Sequence, residues 1–132
     1  MKLLNLTLFT LLSLTALGQS KTDMEEVLTL SMELPKLEKY YDQSHPVIID
    51  NGLINNNLNI FYKKKKVNIY TKEILFNLGY SNHIEFIKFE INENKAELEF
   101  LYNYEGVNVS IEFMKNANSW TIIKSELREM KK

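Results

Sequence analysis

No cysteine occurs among the 132 residues, and glycine, proline and tryptophan are scarce, at four, two and one. The missing cysteine excludes disulfides, thiolate metal sites, a cysteine nucleophile and a lipid-modified cysteine anchor. Four unclustered glycines cannot build a glycine-rich phosphate cradle. The two histidines, His45 and His83, lie in separate segments without H-x-x-x-H or carboxylate-rich spacing, so the sequence implies no metal and no cofactor. Ser110 and Ser125 alternate with apolar neighbours and lack the G-x-S-x-G context of an activated nucleophile. A surplus of one charge is missing as well. Sixteen Lys+Arg against 17 Asp+Glu leave −1, which argues against nucleic acid as the main partner, because polyanion binders need basic charge to displace counterions.

What is there reads as one ordinary globular domain, with 45% hydrophobic and 25% charged residues. The chain has a short basic start, Met1-Lys2, and an apolar stretch from Leu3 to Leu17 broken only by Asn5 and small Thr/Ser residues. Ala16-Leu17-Gly18-Gln19 follows, with small side chains at the last and third-last positions before a cut. This is the plan of a secretory signal peptide over residues 1–18, cleaved between Gly18 and Gln19. The run is shorter than the roughly 20 residues a bilayer span needs. The expectation is therefore a protein of the periplasm or the exterior, with residues 19–132 as its single domain and no transmembrane segment after cleavage.

Thr22-Asp23-Met24-Glu25 has the form of a capping box. Val27, Leu30, Leu34, Leu37 and Tyr41 then recur at helical spacing, and Pro35 inside that stripe predicts a kink or break near Leu34. Val47-Ile48-Ile49 is a short apolar run before the turn signal Asp50-Asn51-Gly52. Leu58, Ile60 and Tyr62 suggest a short strand, Lys63 to Lys66 a solvated loop, and Val67 to Tyr70 another strand. Thr71 is the expected cap of a short helix, Lys72 to Leu78, that Gly79 ends in the left-handed conformation.

The last fifty residues hold four β-runs. Ile84 to Ile91 changes the parity of its apolar face between Phe86 and Ile87, which predicts a bulge. Ala96 to Tyr104, Val107 to Phe113 and Trp120 to Leu127 follow, separated by Asn92-Glu93-Asn94, Glu105-Gly106 and Asn116-Ala117-Asn118. Short connections between such runs favour an antiparallel meander. The predicted fold is α+β, an N-terminal helix packed on a curved antiparallel sheet that ends in a four-strand meander.

Lys95-Ala96-Glu97-Leu98-Glu99-Phe100, the turn at Gly106-Val107 and Ser119-Trp120-Thr121-Ile122-Ile123 resemble the closing strands of small exported cystatin-like or NTF2-like domains. Val67 to Tyr70, with Glu73-Ile74-Leu75-Phe76 and Gly79 behind it, is similar to a segment of secreted proteins of Bacteroidota. The resemblance runs from Val67 to Glu129 and implies a helix wrapped by a curved sheet. That fold hosts isomerases, dehydratases, carriers, inhibitors and assembly domains, so it selects no function. The chain departs from the understood members in having no glutamine-valine-glycine type inhibitory loop and no paired aspartate and histidine assigned to the cone.

Two sets of residues remain as candidates for chemistry. His83 and Glu85, two apart at the start of a strand, share a face and are the catalytic candidates, an acid-base pair against the plainer reading of a solvated strand start. Phe76, Phe86, Phe100, Tyr102, Phe113 and Trp120 either fill the core or line a small apolar pocket under the sheet. Three readings follow. The leading one is a non-catalytic binding domain whose ligand is a small molecule, a peptide or another envelope protein. The second is an isomerase- or dehydratase-type enzyme using a cavity carboxylate or His83. The third is a structural or dimerising accessory protein, for which a homodimer is in keeping with the sequence.

Overall fold

The computed structural model describes residues 21–41, 45–103 and 106–130. The expected leader, its Gly18/Gln19 cut, Tyr104 and Glu105 lie outside the described residues. Residues 21–32 are helical (α1), and a 3-10 helix, η1, spans Pro35–Tyr41. The break falls where Pro35 removes a backbone donor. Thr22 lies within the helical residues, which corrects the capping box: Asp23 and Glu25 spend their carboxylates on tertiary partners instead of on the helix end.

Eight strands follow among the described residues: β1 (Val47–Ile49), β2 (Phe61–Tyr62), β3 (Lys65–Lys66), β4 (Asn68–Tyr70), β5 (Ile84–Ile91), β6 (Lys95–Tyr102), β7 (Val107–Asn116) and β8 (Ser119–Glu129). A short helix, α2, covers Lys72–Asn77. Six of the strands form one sheet in the order β4-β1-β5-β6-β7-β8. The predicted meander is present, since β5 to β8 pair antiparallel in sequence order. Its bulge is present too: the β5–β6 register shifts between Phe86 and Lys88, leaving Ile87 as the extra residue. A second bulge in β8 leaves Ile123 unpaired, because Glu112 and Phe113 face Lys124 and Ile122.

The sheet is mixed, which corrects the expectation of a purely antiparallel one. β1 runs parallel to both β4 and β5. Parallel neighbours need a crossover, and the chain from β4 through α2 to β5 supplies it. The crossover also covers the second face of β1: Leu75 of α2 packs on Val47 and Ile49, while Ile48 joins the main core. All three β1 residues are buried, and burial on both faces is what an uninterrupted apolar run signals. The lysine run is corrected in part. Lys63 and Lys64 make the turn at positive φ, but Lys65 and Lys66 pair as β3 with Phe61 and Tyr62. The strand expected from Leu58 is accordingly reduced to Phe61–Tyr62, with Leu58 and Ile60 buried before it.

One core unites helix and sheet. Val27, Leu28, Met32, Leu34, Leu37 and Tyr41 pack with the inward residues of β5 to β8, among them Phe86, Phe100, Ile111 and Phe113. Ser31, the buried polar side chain of α1 among the described residues, donates to the Leu28 carbonyl at 2.6 Å, so it enters the core satisfied. No helix among the described residues is long and apolar enough to cross a membrane.

Candidate functional site

The inward aromatic residues are core. Phe86, Phe100, Tyr102, Phe113 and Trp120 expose only 0–3% of their surface, so they pack into the interior. Phe86 and Phe100 stack at 5.1 Å between centroids. Phe76 is the exception to the inward set, and a correction: at 84% exposure it projects from α2 into solvent, because the buried side of that six-residue helix is taken by Leu75. Ile74, Leu78 and Tyr80 are exposed beside it in sequence. Two grooves lie on the surface of the described residues, and none of these six aromatics lines either.

Trp120 sits at the junction of α1 with the β7–β8 hairpin. Its indole Nε1 donates to Asp23 Oδ1 at 3.0 Å, and its backbone N–H donates to Glu26 Oε1 at 3.2 Å. Lys115 Nζ reaches the same Asp23 oxygen at 2.9 Å and stands 5.9 Å from the indole centroid. Asp23 and Lys115 are both mostly buried, so water screens the pair weakly. On the other side of α1, Glu25 accepts from Asn59 N and Thr29 Oγ1 from Phe61 N, which ties the helix to the chain entering β2.

His83 and Glu85 flank Ile84 on the face opposite the core, as their spacing predicts. The ring's hydrogen-bond partner is Asn103: its amide Nδ2 lies 2.8 Å from Nε2, and its backbone N–H donates to the His83 carbonyl. Burial lowers the His83 pKa from its ordinary 6.5, and the nearby Glu85 carboxylate offsets this only in part. The imidazole is therefore neutral at pH 7. An imidazole whose Nε2 is engaged by an amide is held in place rather than activated by a carboxylate.

Sequence reasoning missed a polar cluster at the same end of the sheet. Tyr41 meets Tyr62 edge-on at 4.9 Å and Tyr102 at 5.5 Å, and His45 lies 5.7 Å from Tyr62. The Tyr41 hydroxyl and His45 Nε2 are buried without a hydrogen-bond partner. Burial pushes the Tyr41 pKa far above its ordinary value, with Tyr102 and Tyr62 adding to the effect, so the phenol stays neutral. Tyr41 was legible as the end of the helical stripe, but its ring partners, Tyr62 and Tyr102, come from two other segments and no local spacing announces them.

The outer face of the meander is polar, and its residues align in rows across the strands. Glu90, Glu97, Glu112 and Lys124 form one row, and Lys88, Glu99, Ser110 and Glu126 the next. Lys88 Nζ bonds Glu97 diagonally at 2.9 Å, and this bond holds the Glu97 carboxyl below its usual range. Asn108 Nδ2 donates to Glu99 at 3.0 Å. A shallow groove runs over these side chains, with Leu98 and Ile111 at its floor. A second groove lies between η1 and the edge strand β8, lined by Pro35, Lys36, Glu38, Lys39 and Leu127. No cluster of metal-ligating side chains occurs among the described residues.

No family model matches the chain, and no curated protein or solved structure matches it either.

Proposed function

We propose that the chain is an exported, non-catalytic interaction domain of the cystatin-like or NTF2-like kind, which works through its surfaces rather than through an enclosed site. The filled interior carries this reading. A carrier or a cavity enzyme needs a hollow of about 300 Å³ or more to cover a small ligand. Here the place for such a hollow, between α1 and the sheet, is taken by Phe86, Phe100, Tyr102, Phe113 and Trp120, all buried in the core. The setting of His83 also supports it: the Asn103 amide holds Nε2 and Nδ1 is buried without a partner, so neither nitrogen is open to a substrate as a general base must be. The leader pattern at residues 1–18 supports export.

Native mass spectrometry of the protein purified from its own host is the test. The expected spectrum contains the polypeptide, alone or assembled, with no small molecule in stoichiometric amount. A retained ligand that is released only on unfolding overturns the reading in favour of a carrier.

A further inference from the structure

The two edges of the six-stranded sheet are unlike. β4 ends one side with three residues, as short as protected edges usually are, whereas β8 ends the other with 11. The ladder phase shows where the β8 backbone points. Met130 N donates to Gly106 O at 2.6 Å, and these residues continue the register that pairs Val107 with Glu129 and Ser110 with Glu126. Residues 106/130, 108/128, 110/126 and 112/124 are therefore the pairs that exchange bonds with β7. The N–H and C=O groups of Ser125 and Leu127 point away from β7, along an edge where no strand pairs among the described residues.

The side chains along this edge are self-complementary about Ser125. We propose that two copies of the chain join β8 to β8 antiparallel around a two-fold axis at Ser125, making one continuous sheet. This rests on the reading of the chain as an interaction domain and names its partner as a second copy. In that register Lys124 faces Glu126 of the partner subunit, and the symmetry repeats the pair. The neighbouring symmetric registers are disfavoured by charge. Centring on Lys124 sets it against its own copy, and centring on Glu126 does the same for Glu126 while bringing Lys124 against Arg128 of the partner subunit.

Packing agrees with the charges. Ile123, left out of the β7 ladder by the bulge and 54% exposed, stands opposite Leu127 of the partner subunit in that register, and Leu127 lines the groove beside η1. The groove wall is fixed to β8: Tyr40 donates to Glu129, and Lys39 Nζ stands 3.8 Å from the same carboxylate. An extended strand laid on this edge thus gains main-chain bonds and an apolar contact together, as strand addition requires.

Sedimentation of the full chain as its host produces it, from about 1 to about 100 µM, reads the dimer directly. The expected species has twice the chain mass. Lys124→Glu or Glu126→Lys alone converts both cross-axis pairs to repulsion and weakens self-association on the order of tenfold. The Lys124→Glu/Glu126→Lys double variant restores the attraction, and with it the dimer. Circular dichroism establishes that each variant keeps its fold. A wild-type monomer throughout the range, or a dimer indifferent to both single variants, overturns the proposal. A monomer free of small molecules leaves the interaction-domain reading standing, whereas a retained ligand removes that reading itself.

Discussion

Trp120 shows how much one side chain can hold. Its ring fills the space between α1 and the hairpin, and its N–H fixes Asp23, which in turn holds Lys115. Trp120→Ala removes the packing and leaves a mostly buried ion pair short of a partner, so a loss of about 3–5 kcal/mol is expected from urea unfolding. A loss below about 1 kcal/mol would place the indole outside the core. His83 gives a different kind of prediction. Its folded pKa lies below the ordinary 6.5, so as pH falls the unfolded chain takes up a proton first. The stability contributed by the neutral ring is complete above the unfolded value and is lost as pH falls through the folded one. Between about pH 7 and pH 5 the wild type should lose more stability than His83→Gln, read as the shift of the urea midpoint. Equal losses would mean that burial does not act on this ring.

At the scale of the element, α2 is set by its ends. Thr71 Oγ1 accepts from Ile74 N at 3.3 Å at the start. At the finish Gly79 N donates to Phe76 O and Tyr80 N to Leu75 O, with Gly79 at φ +76°, a Schellman motif. Nothing lies within 4 Å of a Cβ added at Gly79, so Gly79→Ala meets a purely conformational penalty. The expected cost is about 1 kcal/mol, seen as a lower thermal midpoint. Phe76→Ser in the same helix should change stability by less than about 0.5 kcal/mol, because the ring is already in water. Both caps were legible in Thr71 and Gly79. The exposure of Phe76 was not, since a six-residue helix spans under two turns and its apolar residues, Ile74, Leu75 and Phe76, are consecutive. Consecutive residues cannot share a helix face, and only the position of β1 decided which one was buried.

For the whole molecule, the sequence by itself determined the meander. Alternation in Ala96 to Tyr102 and Val107 to Phe113 assigns each residue to a face, and the parity break near Ile87 locates the bulge. These are nearest-neighbour properties: a period of two and a turn of a few residues carry all the information. The break at Pro35 is equally local. The tertiary structure alone decided that Val47-Ile48-Ile49 enters the sheet between two parallel strands, because its pairing with Asn68–Tyr70 and Ile84 spans about twenty to thirty-six residues and leaves no periodic trace. It also decided that Asp23 serves Lys115 and Trp120 rather than its own helix, across more than ninety residues. The same holds for the site. His83 and Glu85 share a face by strand geometry alone, but the partner that occupies the imidazole, Asn103, comes from the turn just past the end of β6, the strand that pairs with β5. Whether the aromatics enclosed a pocket depended on how closely α1 approached the sheet, a packing distance that no spacing along one chain encodes.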